Sequence, residues 1–302
     1  MQTLYTLSST MEPADIEAIK KKGSNLLNDK LNRSIDLLAA SILYILRVAQ
    51  YADNDARHRS SKYLTTNEDL NVSTKIVNNE YLLQILANPT FAKKVKDSKI
   101  EHLVNDEWVR KIYQRAVQAP EYKEYIATEE RTQNGEKEIL QFIWEKHMLA
   151  NEELQEYFSE ELPGWEDDKE MTAMLMENFF KNSSKINFLV PLSEEKNKYA
   201  HDLLDTVIDK EGYCMELIKP KLTHWDTERI ALVDLLLLRM GVCEMLWFPT
   251  IPTKVTINEY IEIAKLYSTP QSGNFVNGVL DNILKELEKD NKIRKQERTR
   301  KS

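Results

Sequence analysis

The stretch IPTKVTINEYIEIAKLYSTPQSGNFVNGVLDNI, residues 251–283, sets helix stops, helix starts and polar positions in one dense order. Pro249 and Pro252 end a preceding apolar helix, because each removes an amide donor and clashes with the turn before it. Thr256 and Glu259 then have capping-box spacing, which predicts a new helix starting near Thr256. Ile257, Tyr260, Ile261 and Ala264 recur at helical spacing, so one face is buried while Glu259, Glu262 and Lys265 stay wet. Thr269 and Pro270 close that helix and suit the N-cap and first turn of the next. There, Phe275, Val279 and Ile283 form an apolar stripe flanked by Val276, Leu280, Leu284 and Leu287. Asn274, Asn277 and Asp281 form a polar stripe. Read from its residues alone, the stretch is a helical hairpin with one packed and one solvated face.

The rest of the chain extends this helical character. Among 302 residues, 42% are hydrophobic, Gly numbers 7 and Pro 9, enough apolar material for a substantial core and few turn formers. Apolar residues recur mostly at three-and-four spacing, which predicts an all-α fold of two packed helical bundles. The most apolar segment, residues 35–49, contains Asp36 and ends beside Arg47, so it reads as a buried helix rather than a membrane span. The opening MQTLYTLSSTMEP has neither the basic region nor the long apolar core of a secretion signal, and the expected location is the cytoplasm. Cys214 and Cys243, the two cysteines, sit in helical contexts and read as reduced core thiols, with no metal site.

Charge is unevenly spread. The net charge is −8, which argues against indiscriminate coating of nucleic acid. Acid dominates residues 151–170, whereas residues 285–302 carry eight Lys or Arg against four Asp or Glu. That basic tail reads either as a solvated helix end or as an RNA contact.

Turn signals divide the chain into further helices. Residues 1–9 read as one helix broken before Met11, Glu12 and Pro13, residues 13–21 as a second, and residues 26–51 as a long apolar third. Residues 53–72 are polar and lack period, which predicts a loop or a short turn. Helices follow over 75–86, 89–95, 101–119, 120–127, 138–148, 165–182, 193–207 and 213–218, with a polar break at 129–137. Residues 227–247 carry the strongest helical pattern, with Ile230, Val233, Leu237, Met240 and Met245 near one face.

The ordered strings resemble the NusB family of bacterial transcription antitermination factors. Arg239, Gly241, Glu244 and Met245 fit the family's R-x-A-x-Y-E-L helix. Pro252, Lys254, Val255, Ile257, Asn258, Glu259, Ile261, Glu262, Ala264 and Lys265 fit P-x-K-V-x-I-N-E-A-I-E-L-A-K. Phe275, Val276, Asn277, Gly278, Val279, Leu280 and Asp281 fit K-F-V-N-G-V-L-D. The similarity runs without a gap from Asp234 to Ile283 and weakens upstream, at Tyr199 to Leu204 and Trp225 to Glu228. Gln2, Leu4 and Tyr5 resemble the end of the family's arginine-rich first helix, R-R-x-A-R-x-x-A-x-Q-x-L-Y. The arginines have no counterpart here, and the favoured expectation is a gene start upstream of Met1.

The resemblance implies a non-catalytic RNA-binding factor. Family members pair with NusE, a ribosomal small-subunit protein, and hold boxA-type single-stranded RNA in the RNA polymerase antitermination complex, so that rRNA operons are read through. It points to Tyr5, Gln271, Asn274 and Phe275 for RNA, to Asp234 for the partner protein, and to Asn258, Glu259, Asn277 and Gly278 as structural motif positions. Packing alternatives stand beside these roles: Phe275 in the core, Asp234 in solvent or paired with Arg239, and Asn258 and Asn277 on backbone carbonyls. Gln271 and Asn274 replace positions that are often charged in the family. The implied division is an enlarged N-terminal helical region over 1–185, a NusB-like bundle over 186–288 and a basic tail over 289–302.

Enzyme readings find no support in the motifs. His58, His102, His147, His201 and His224 are scattered, with no paired spacing, Gly-rich phosphate loop or Ser-His constellation, and no cofactor is expected. The RNA cytosine methyltransferases that carry a NusB-like domain need a nucleotide-cofactor domain with glycine turns, for which this chain has no room. A protein-interaction or dimerisation module of the same fold is the alternative.

Overall fold

The computed structural model describes residues 1–10, 15–183, 186–222 and 230–296. Among these the secondary structure is helical, in chain order α1 (Gln2–Thr10), α2 (Ile16–Ser60), α3 (Asn67–Leu70), α4 (Glu80–Leu86), α5 (Pro89–Asp97), α6 (Asp106–Ala116), α7 (Pro120–Ala127) and α8 (Gln133–Phe142). A π-helical segment, Ile143–Leu149, precedes α9 (Glu152–Glu161), α10 (Trp165–Asn182), α11 (Glu194–Asp209), α12 (Glu211–Ile218), α13 (Leu232–Trp247), α14 (Thr253–Tyr267) and α15 (Ser272–Lys289). Single-turn 3-10 helices lie at Lys75–Asn78, Ile100–Leu103 and Lys219–Leu222.

Packing groups the chain into two compact units, Met1–Asp29 with Leu192–Ser302, and Lys30–Pro191. The division does not coincide with the sequence boundary at 185/186, because residues 1–29 group with the C-terminal helices.

In the first unit α13 is the central element. Every residue from Leu236 to Met245 is buried, as expected of a helix that is apolar nearly all round. Leu4 and Leu7 of α1, Leu203 and Val207 of α11, Tyr260 of α14, and Phe275, Val279 and Ile283 of α15 share its core. Each such aliphatic side chain contributes about 1.5–3 kcal/mol on burial. Gly241 admits α15 closely: a Cβ there would stand 2.9 Å from both terminal methyls of Leu280.

The second unit is capped by asparagine. Asn79, Asn88, Asn105 and Asn151 occupy the N-caps of α4, α5, α6 and α9, each side chain accepting from amides of the first turn, at about 1 kcal/mol apiece. Tyr44, buried in the middle of α2, donates to Leu103 O at 3.1 Å and accepts from Asn105 N–H at 2.9 Å. The helix α2 is long and apolar enough to cross a membrane, yet 78% of its apolar window is buried inside the protein. It is a core helix.

Several sequence expectations are corrected. The second and third expected helices are one 45-residue element, α2, and within it Gly23 lets Leu7 and Leu204 approach, since a Cβ would stand 3.0 and 3.3 Å from their methyls. The polar residues after Asp53 continue α2 as far as Ser60, helped by an Asp55–Arg59 ion pair of 2.9 Å one turn apart. Helix α14 starts at Thr253, not near Thr256: Pro252 O accepts from Val255 N–H at 2.9 Å and Thr256 N–H at 3.1 Å, so the first turn closes on the proline. The capping box is not formed, for Thr256 lies inside the helix with its N–H bonded to Pro252 O and its hydroxyl 3.5 Å from the same oxygen. Helix α13 starts at Leu232, five residues later than read, and the expected first turn at Thr227 to Arg229 lies outside the described residues.

Candidate nucleic-acid interface

Four of the sequence-derived site residues converge where α13 and α15 begin. Asp234, in the first turn of α13, accepts a 2.7 Å hydrogen bond from Ser272 Oγ, the first residue of α15. Thr269 N–H donates to the same Oγ at 3.1 Å, and the Thr269 and Ser268 hydroxyls lie 2.8 and 3.0 Å from it. This cluster ties the STPQS connection between α14 and α15 to α13. Asp234 is only 6% exposed, its Oδ1 is buried without a hydrogen bond among the described residues, and it does not pair with Arg239. Arg239 instead reaches Glu211 at 2.9 Å and Val207 O at 3.3 Å.

Around that cluster the polar and apolar residues separate by face. Gln271 and Asn274 are exposed at the amino end of α15, whereas Phe275 beside them is 5% exposed and packed in the core. The phenyl ring therefore offers no open stacking face. Lys265, which sequence reasoning placed only on a wet face, runs its stem across the start of α15: its Cγ lies 3.1 Å from where a Cβ on Gly273 would stand. Its ammonium pairs with Glu262 at 2.7 Å. Tyr5 is 45% exposed on α1, whose Leu4 and Leu7 face the core and which packs against α13.

The motif positions divide in the same way. Asn258, Glu259, Asn277 and Gly278 are all exposed, and a Cβ at Gly278 would meet nothing within 4 Å. The asparagines are not held by backbone carbonyls among the described residues. Glu244 is the buried motif residue: its Oε1 accepts from the Tyr199 hydroxyl and lies 3.5 Å from that of Tyr260, joining α11 and α14 to α13. Burial and the neighbouring carboxylate raise both phenols above their ordinary pKa.

The described part of the tail, residues 289–296, turns back on the first unit. Asn291 takes the left-handed conformation (φ 54°), and Lys292 N–H reaches Leu287 O at 2.8 Å, a Schellman-type ending for α15. Lys295 Nζ then donates to Glu244 O and Phe248 O, both at 2.9 Å, placing a cation on the carboxyl end of α13. Burial lowers its pKa. Residues 297–302 of the basic tail lie outside the described residues. Cys214 and Cys243 are buried free thiols with their sulfurs 3.4 Å apart.

Comparison with known proteins gives these strings a context. The NusB family model matches residues 165–285. The transcription antitermination protein NusB of Salinibacter ruber is 42% identical over 108 residues, 35% of this chain and 68% of the relative. That of Listeria monocytogenes serotype 4a is 39% identical over 95 residues, 32% of this chain and 74% of the relative, and that of Koribacter versatilis 40% identical over 101 residues, 33% of this chain and 69% of the relative. No solved structure matches. With this identity over more than two thirds of each of those relatives, the chain belongs to the NusB family, in which it is a long member.

Proposed function

We propose that this protein acts in transcription antitermination, holding boxA-type single-stranded RNA together with NusE so that RNA polymerase reads through rRNA operons. The supporting observation is the exposure of Gln271 and Asn274 at the amino end of α15. Gln271 and Asn274 flank the amino end of the 18-residue helix α15, whose positive dipole end suits a phosphate, and Lys265, paired with Glu262, lies beside it. Tyr5 is the exposed aromatic in this reading, available to stack on a splayed base. Asp234 serves NusE binding by fixing the start of α13 through Ser272 rather than by presenting an open carboxylate. No catalytic step is involved.

A second reading is a protein-interaction or dimerisation module of the same fold with weak RNA binding, and the burial of Phe275 favours it. Titration of boxA-containing and scrambled RNA, with and without NusE, separates the two. A preference for boxA that strengthens with NusE is expected; equal binding of both RNAs under both conditions rejects antitermination through boxA.

A further inference from the structure

The second unit carries a groove of about 490 Å³ bordered by α2, α4 and α5, in the size range of ligand-binding clefts. Leu43, Leu46 and Val95 form its floor, and Arg47, Lys96 and Lys99 stand on its rim. Leu86, at its edge, and Leu83 one turn before it on α4 are each 47% exposed, so the apolar strip continues beyond the cleft.

The rim is locally basic on a chain of net charge −8. Of the carboxylates lining the groove only Glu101 counters it, 3.8 Å from Arg47. Lys96 and Lys99 are exposed and pair with no carboxylate among the described residues, unlike Lys93 and Lys94 on the same helix, which pair with Asp97 and Asp36. Lys99 also occupies a left-handed position (φ 52°) just past the end of α5, where Gly or Asn is the unstrained choice. A lysine held there at a backbone cost, with its ammonium unpaired, suits a role outside the chain's own stability.

We propose that this groove receives an acidic amphipathic helix of a protein partner, its apolar side chains on the leucine floor and its carboxylates against Arg47, Lys96 and Lys99. The aliphatic floor decides for peptide over RNA. Unstacked bases seek aromatic platforms, and the phenyl ring lining this floor, Phe91, is 3% exposed and packed edge-on against Phe188 at 5.1 Å, which leaves only the His102 imidazole as an open ring among the lining residues. Leu residues at helical spacing beside a cationic rim instead match helix-in-groove recognition with complementary charge. The inference does not depend on the RNA reading, since it concerns the other unit.

A random helical-peptide library displayed on phage, selected on the full chain and counter-selected on the Lys96→Glu/Lys99→Glu double variant, tests it. Enriched sequences are expected to carry large apolar residues at i, i+3 or i+4, and i+7, with Asp or Glu between them. Their fluorescein-labelled synthetic versions should lose roughly tenfold or more in affinity on the double variant and on Leu86→Glu, while the helical signal and Tm of these surface variants stay at the parent values. Enrichment of basic or neutral sequences, no enrichment, affinity indifferent to the substitutions, or a single-stranded RNA that binds this groove more tightly than the peptides would overturn the proposal.

Discussion

The Asp234 carboxylate and the Ser272 hydroxyl, 38 residues apart, meet at 2.7 Å and tie the first turn of α13 to the first turn of α15. Both side chains are buried, so loss of either leaves its partner without solvent to replace it. Asp234→Ala and Ser272→Ala should each lower stability by about 1–3 kcal/mol. The double variant should cost much less than the sum. Urea unfolding of the four proteins measures the coupling, and strict additivity would remove the bond from the account.

Phe275 and Asn274 are neighbours with opposite surroundings. Phe275→Ala should destabilise by about 3–5 kcal/mol, as for a core aromatic. Gln271→Ala and Asn274→Ala should stay within about 0.5 kcal/mol of the parent, as exposed positions do, and weaken RNA binding. Thermal melts beside RNA titrations separate the two behaviours; a Phe275→Ala variant with parental Tm and lost RNA binding would return the ring to the interface.

Gly241 and Gly278 should respond with opposite sign. Gly241→Ala sets a methyl 2.9 Å from Leu280 at the contact of α13 with α15, at an expected cost of about 1–3 kcal/mol. Gly278→Ala points into open space within α15 and should stabilise by about 0.5–1 kcal/mol. If Gly278→Ala is more stable yet binds RNA less well, close backbone approach by RNA explains that glycine.

Alkaline pH should unfold the protein. Burial holds the phenols of Tyr44, Tyr113, Tyr125, Tyr199 and Tyr260 above their ordinary value of 10.0 and pushes Tyr122 up to about 12. A folded pKa above the unfolded one means more protons bound when folded, so this stability is complete below pH 10 and is lost as pH rises beyond it, by up to about 1.4 kcal/mol per pH unit for each group. Lys295, with its lowered pKa, acts in the opposite sense as a single group. Urea midpoints at pH 9 and pH 11 test this: no decrease at pH 11 would contradict the burial of these hydroxyls.

Helices with strong punctuation were legible in the residues. Pro120–Ala127 opens on its proline, and the periodicity over 165–182 matches the observed helix Trp165–Asn182. The join of residues 13–21 and 26–51 into one helix, α2, is not visible in one dimension, because the packing of Leu7 and Leu204 against Gly23 comes from distant parts of the chain. Thr256 misled for a related reason: its capping-box spacing with Glu259 is local, while the helix start was decided by the Pro252 carbonyl.

The order of residues from Asp234 to Ile283 by itself determined the all-helical class and the family, since helix periodicity and the motif strings are properties of sequence alone. It also placed Asp234, Gln271, Asn274 and Phe275 on a short list. Only the tertiary structure decided which of them water reaches. Burial depends on what packs against a helix from elsewhere in the chain, and here Ser272 closes over Asp234 and the core takes Phe275, while Gln271 and Asn274 stay open.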